Sequence, residues 1–166
     1  EISPSLRRAV LASEDVRFYL HSGFDVEEIE NALERAKRGR RLRGASTITQ
    51  QVVKNMLLDS TKSVERKVRE AVLAMRIEKM LTKDQILELY MNEIYLGGRS
   101  YGVGAAALNY FGKSLGQLTL AESAMLAGLP QAPGKVNPYT NPEAAIERRN
   151  YVLGRMVANG YVDKAE

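Results

Sequence analysis

The chain has 166 residues, 45% of them hydrophobic and 27% charged, which is enough apolar content for the core of one ordinary domain. Its net charge of +4 suits an anionic partner without choosing among phosphate, nucleic acid and lipid headgroup. The lack of cysteine excludes disulfides and thiolate chemistry, and the single histidine, His21, excludes a multi-histidine metal site, so acid–base work falls to His21 or to carboxylates.

Ser3 as N-cap and Pro4 at the first helical position predict a helix to about Ser13. It starts abruptly after Glu1-Ile2, which suggests a further segment upstream of this sequence. Asp25 and Glu28 have capping-box spacing ahead of an apolar stripe of Ile29, Ala32, Leu33 and Ala36, which stops at the basic run Lys37 to Arg43. Thr47 to Leu57 reads as helix. Ser63 caps a long helix to about Leu81, and Thr82 with Gln85 opens another to about Met91. After the break at Gly97-Gly98, Gly102 to Phe111 forms a small-residue helix closed by Gly112, and Thr119 with Glu122 caps the next, through Ala127. Prolines keep 130–138 out of regular helix, and Asn141-Pro142 starts the last, to about Asn159. No alternating strand pattern, internal repeat, signal-peptide pattern or run of about 18 apolar residues is present. The expected fold class is mainly α, a compact single domain.

Three segments could carry chemistry. In Gly44-Ala45-Ser46-Thr47-Ile48-Thr49-Gln50-Gln51, followed by Lys54 and Asn55, hydroxyl and amide side chains offer hydrogen bonds to an oxygen-rich ligand, although a Ser or Thr cap with a solvated first turn has the same composition. Glu14 and Asp15 are adjacent acids with Arg17 two residues on, so one can be held by the cation while the other points elsewhere. Arg66, Lys67 and Glu70 share a helix face that Leu73 and Ile77 continue, and Val68, Val72 and Met75 cover the opposite one, so this helix should be buried on both sides and Glu70 should need partners.

As an ordered set, these motifs resemble the peptidoglycan glycosyltransferase (transglycosylase) domain of class A penicillin-binding proteins and their monofunctional relatives. Glu14-Asp15-x-Arg17-Phe18-Tyr19-x-His21-x-Gly23 is similar to the first motif of that family, and Gly44-x-Ser46-Thr47-Ile48-Thr49-Gln50-Gln51-x-x-Lys54-Asn55 to the second. Arg66-Lys67-x-x-Glu70 is similar to the third, Ile86 to Asn92 running on to Tyr95-Leu96-Gly97 to the fourth, and Arg148-Arg149-Asn150-x-Val152-Leu153 to the fifth. The resemblance covers essentially the whole chain.

It implies a lysozyme-like, mainly helical fold with a large lobe and a small membrane-facing jaw around a cleft. Residues 1–166 would form one such domain, with a membrane anchor and any transpeptidase domain outside this sequence. The implied reaction is inverting polymerisation of lipid II onto a lipid-linked glycan chain, releasing undecaprenyl diphosphate at the extracytoplasmic face of the bacterial cytoplasmic membrane. Glu14 would be the general base. Lys54, Arg66 and Lys67 would neutralise the diphosphate, Glu70 would be the second functional carboxylate, orienting the cations or the diphosphate, and Ser46, Thr47, Gln50, Gln51 and Asn55 would line the cleft. Asp15, Arg17, Phe18, His21, Tyr90, Asn92 and the Arg148-Arg149 pair would support the fold. A divalent cation, magnesium or manganese, near Glu14 or Glu70 is left open. Implied partners are the membrane surface and other cell-wall synthesis proteins, but not nucleic acid. One stretch departs from the family pattern: where many members carry apolar residues that dip into the bilayer, Glu27 to Arg43 is highly charged, so it reads either as an electrostatic membrane contact with Leu42 as an apolar anchor or as a solvated loop. Three rival readings are weaker. A lysozyme-like hydrolase has no need of three cations, a nucleic-acid-binding module would leave both acids unexplained, and an inactive scaffold sits poorly with intact Glu14 and Glu70.

Overall fold

The computed structural model describes residues 2–39, 46–58 and 63–166. Eight α-helices run through them: α1 (Pro4–Glu14), α2 (Val26–Lys37), α3 (Ile48–Leu57), α4 (Val64–Met80), α5 (Lys83–Glu93), α6 (Val103–Phe111), α7 (Leu120–Gly128) and α8 (Pro142–Ala158). Short 3₁₀ turns lie at Leu115–Gln117 and Leu129–Gln131. Among the described residues β structure is limited to an isolated antiparallel bridge between Tyr95 and Tyr101. The Arg40 to Ala45 part of the basic run and of the second motif, and the side chains of Ala32 and Ala36, lie outside the described residues.

The helices begin where short polar side chains can satisfy the first turn's orphan N–H groups. Ser3 accepts from Leu6 N, Ser63 from Arg66 N, and Asn141 from Ala144 N. Thr47 with Gln50 and Thr119 with Glu122 close full capping boxes. Each such cap stabilises its helix by about 1 kcal/mol. Burial then fixes where the helices go.

The chain divides into two compact units, one of residues 1–16 and 91–166 and the other of residues 17–90, with the division inside α5. In the first, α1, α7 and α8 pack on one another and α6 joins α7. Their core holds Leu6, Ala9, Val10, Ala124, Leu126, Val152 and Met156, all at most 2% exposed. Each large aliphatic side chain buried there contributes roughly 2 kcal/mol of transfer free energy. Beside this core the Tyr110 hydroxyl donates to Leu96 O at 2.8 Å and accepts from Asn137 Nδ2 at 3.2 Å, tying both loops to α6. Burial raises the Tyr110 phenol above its ordinary value of 10.0, with the neighbouring phenols of Tyr95 and Tyr139 adding to the effect.

In the second unit α3 packs against α4. Phe18, Ile48, Val53, Ala74 and Ile86 are fully buried. Gly23, at φ 106°, lies so close to α4 that a Cβ would meet the Ala74 carbonyl carbon and Met75 N at 2.9 Å, so only glycine allows this approach. The expectation that α4 is buried on both faces is corrected. Only Glu70 and Ala74 are buried on it, while Val64, Val68, Val72 and Met75 are 83%, 58%, 39% and 37% exposed along one stripe. An apolar stripe in a sequence marks a face that avoids water, and only packing shows whether protein covers it. On α2, Leu33 of the expected core stripe is likewise half exposed.

Candidate active site

In the second unit the cations gather on a buried carboxylate. Glu70 is 1% exposed and sits one turn beyond Arg66 and Lys67 on α4. Arg66 Nη1 donates to Glu70 Oε2 at 3.2 Å, and Lys67 Nζ donates to Glu70 Oε1. Spacings of four and three residues put both cations on Glu70's face, and burial makes that pairing obligatory, because an unpaired carboxylate there would cost several kcal/mol. Lys67 Nζ also donates to Ser46 Oγ at 2.9 Å, which brings the second motif onto the third. Arg66 Nε is buried and has no hydrogen-bond acceptor among the described residues. Four expected site residues, Ser46, Arg66, Lys67 and Glu70, therefore form one cluster.

The rest of the second motif splits by exposure. Thr47 and Gln50 are each 3% exposed and close the cap on each other: Gln50 N donates to Thr47 Oγ1 at 3.1 Å, and Thr47 N to Gln50 Oε1 at 2.9 Å. Thr47 Oγ1 then donates to Gly23 O at 2.7 Å. These two side chains hold the segment in place, and the alternative of a solvated first turn is corrected. Gln51 is half-buried and accepts from the Tyr90 hydroxyl at 3.4 Å, whereas Lys54 and Asn55 are exposed on the last turns of α3.

The supporting residues are placed as follows. Phe18 is fully buried, with Lys83 Nζ 4.4 Å above its ring, and the His21 ring meets its edge. His21 Nδ1 accepts from Gly23 N at 3.2 Å. Arg17, expected to hold one of the adjacent acids, donates from Nε to Asp25 at 3.0 Å and pairs with Glu27 at 2.6 Å. Asp15 is 7% exposed, and Asn92 is exposed on α5.

Glu14 belongs to the first unit, at the last position of α1. Its side chain is 11% exposed, and its Oε1 accepts from Ser13 Oγ at 3.1 Å. Arg148 Nη2, on α8, stands 4.0 Å from that oxygen and donates to Ser13 Oγ at 3.1 Å. Neither Ser13 nor Arg148 was expected beside Glu14. No spacing rule links them, because Ser13 and Arg148 lie 135 residues apart in sequence.

Comparison with known proteins agrees with this ordered set. A family profile described as Transglycosylase matches residues 1–157. The chain is 50% identical to penicillin-binding protein 1A of Escherichia coli and 52% identical to that of Vibrio cholerae, in each case over 100% of this chain and 20% of the relative. It thus spans about a fifth of the length of these relatives. A crystal structure of penicillin-binding protein 1A from Haemophilus influenzae aligns with a TM-score of 0.50 and 40% identity, over 71% of this chain and 14% of that one.

Proposed function

The chain belongs to the transglycosylase family, and from that membership we propose that it is a peptidoglycan glycosyltransferase of bacterial cell-wall synthesis, joining lipid II to a lipid-linked glycan chain and releasing undecaprenyl diphosphate. The cluster of Arg66 and Lys67 on buried Glu70 carries this reading. Two cations preorganised on a fixed anion suit a leaving group whose negative charge grows in the transition state, and a neutral sugar leaving group would call for a general acid in their place.

In the proposed reaction the acceptor's N-acetylglucosamine 4-hydroxyl attacks the anomeric carbon of the donor's N-acetylmuramic acid with inversion. The new glycosidic bond forms as the bond to the diphosphate oxygen breaks, and that electron pair leaves with the diphosphate. The hydroxyl proton passes to Glu14, a carboxylate of the type general-base catalysis requires. Arg66 offers a planar fork to phosphate oxygens, while Lys67 and Lys54 act as point charges. Glu70 holds Arg66 and Lys67 in place. The donors around Glu70 do not fit a divalent cation, since both carboxylate oxygens are taken by Arg66 and Lys67, and the described residues contain no group of three or more acidic or histidine side chains able to hold a metal.

A membrane surface as partner is supported by the exposed apolar stripe of α4, which offers a lipid interface the contact that water does not. No helix among the described residues is long and apolar enough to cross a membrane.

The test is polymerisation of lipid II in detergent by the native chain and by Glu14→Gln, following both glycan chains and released undecaprenyl diphosphate. Native polymer and a loss of about 100-fold or more in the variant are expected for a missing general base. Equal rates in the two would remove Glu14 from the role.

A further inference from the structure

We propose that Arg148, acting through Ser13, is a positioning residue for Glu14. The inference rests on the reading of Glu14 as general base and extends it to two side chains outside the chemistry. The geometry is a directed chain: Arg148 Nη2 donates to Ser13 Oγ at 3.1 Å, and Ser13 Oγ donates onward to Glu14 Oε1 at 3.1 Å. Arg148 Nη2 is itself 4.0 Å from the same carboxylate oxygen. A hydroxyl has one proton to give, so the arginine N–H arriving at Ser13 Oγ turns that proton toward Glu14.

Arg148 is held on every side. Its Nε donates to Gly128 O at 3.3 Å, its guanidinium lies 4.7 Å from the Tyr151 ring centroid, and its side chain is only 14% exposed. Gly128, at the end of α7, leaves room for the arginine stem, because a Cβ there would stand 2.8 Å from Arg148 Cγ. α7, α8 and the end of α1 thus converge on one carboxylate. A surface ion pair would need none of this enclosure, and exposed pairs contribute little. An enclosed, doubly anchored guanidinium instead fixes the rotamer of the group it reaches, which is what a base at a reacting hydroxyl requires.

The experiment measures kcat and KM for lipid II, with the folded fraction from thermal melting, for the native chain, Arg148→Met, Arg148→Lys, Ser13→Ala and Glu14→Gln. Arg148→Met should lose at least 10-fold in kcat with KM within about twofold. Arg148→Lys, which restores a cation without the fork, should recover part of that loss. Ser13→Ala, which leaves Arg148 packed against Tyr151 and Gly128, should lose about fivefold in kcat. A native kcat in Ser13→Ala and in Arg148→Lys, or losses that only track the unfolded fraction, would overturn the proposal. If Arg148→Met does not fold, Ser13→Ala and Arg148→Lys decide alone. Activity in Glu14→Gln would sink the general-base reading, whereas an inactive Glu14→Gln beside a fully active Ser13→Ala and Arg148→Lys would sink this inference only.

Discussion

Glu70 shows how far residue chemistry can be read from spacing. A carboxylate three and four residues after two cations shares a face with them, so its partners were legible in the sequence; its burial to 1% exposure was legible only as a need. Because the carboxylate is enclosed, Glu70→Gln leaves Arg66 facing a neutral amide and should destabilise the protein by about 3 kcal/mol, the low end for breaking a buried pair since Lys67 is half exposed. A urea titration gives this directly, and an unchanged midpoint would mean the pair is already compensated by water. Arg148 is the opposite case. Its pairing with Ser13 is made by tertiary packing across 135 residues, which no local pattern encodes. The capping roles of Thr47 and Gln50 were hard to read for a related reason, since the hydroxyls and amides that suit a ligand are the same groups that suit a cap.

Helices were legible to within a residue or two because their signals are chemical and local. Ser3-Pro4, Thr119 with Glu122, and Asn141-Pro142 each mark a start by satisfying N–H groups that the helix itself cannot. Thr47→Ala removes both the α3 cap and the hydroxyl's bond to Gly23 O, so it should cost about 2 kcal/mol, more than the loss of a cap alone. Serine retains the hydroxyl, and Thr47→Ser should recover most of that loss in the same denaturation experiment. What helices face was less legible, as α4 demonstrates. If its exposed stripe meets lipid, replacing Val68 and Val72 together by serine should lower co-sedimentation with anionic vesicles several-fold and leave the melting temperature unchanged. Equal sedimentation of the two proteins would free the stripe of that role.

At the scale of the molecule, the mainly helical class followed from caps and periodicities that agree, whereas the division at α5 has no sequence mark, because the helix runs through it. Glu122 and Tyr110 both belong to the unit of residues 1–16 and 91–166, and both tie its stability to pH. The hydrogen bond from Lys113, with the one from Thr119 N, holds Glu122 below its ordinary value of 4.5. A lowered carboxylate stabilises the fold above its unfolded value and loses that contribution as pH falls through the folded one. Tyr110 works in the other direction: raised by burial, it stabilises below 10.0 and ceases to do so as pH climbs through its folded value. Melting temperature against pH should therefore fall on both flanks, with Glu122→Gln flattening the acid flank and Tyr110→Phe the alkaline one. The chain has eight tyrosines and no tryptophan, so near-ultraviolet circular dichroism reports on this unit largely through Tyr95, Tyr101, Tyr110 and Tyr139.

The pairing of Glu70 with Arg66 and Lys67 also bears on turnover. On the proposed reaction the cluster works as an ion exchanger with its counter-ion built into the resin. An arriving diphosphate meets cations that Glu70 keeps in place, and a departing one leaves them paired with the same carboxylate, which never diffuses away. Loading and elution then follow one path in opposite directions, and the product leaves without a wash of salt, as an enzyme that repeats the same addition along a growing chain requires.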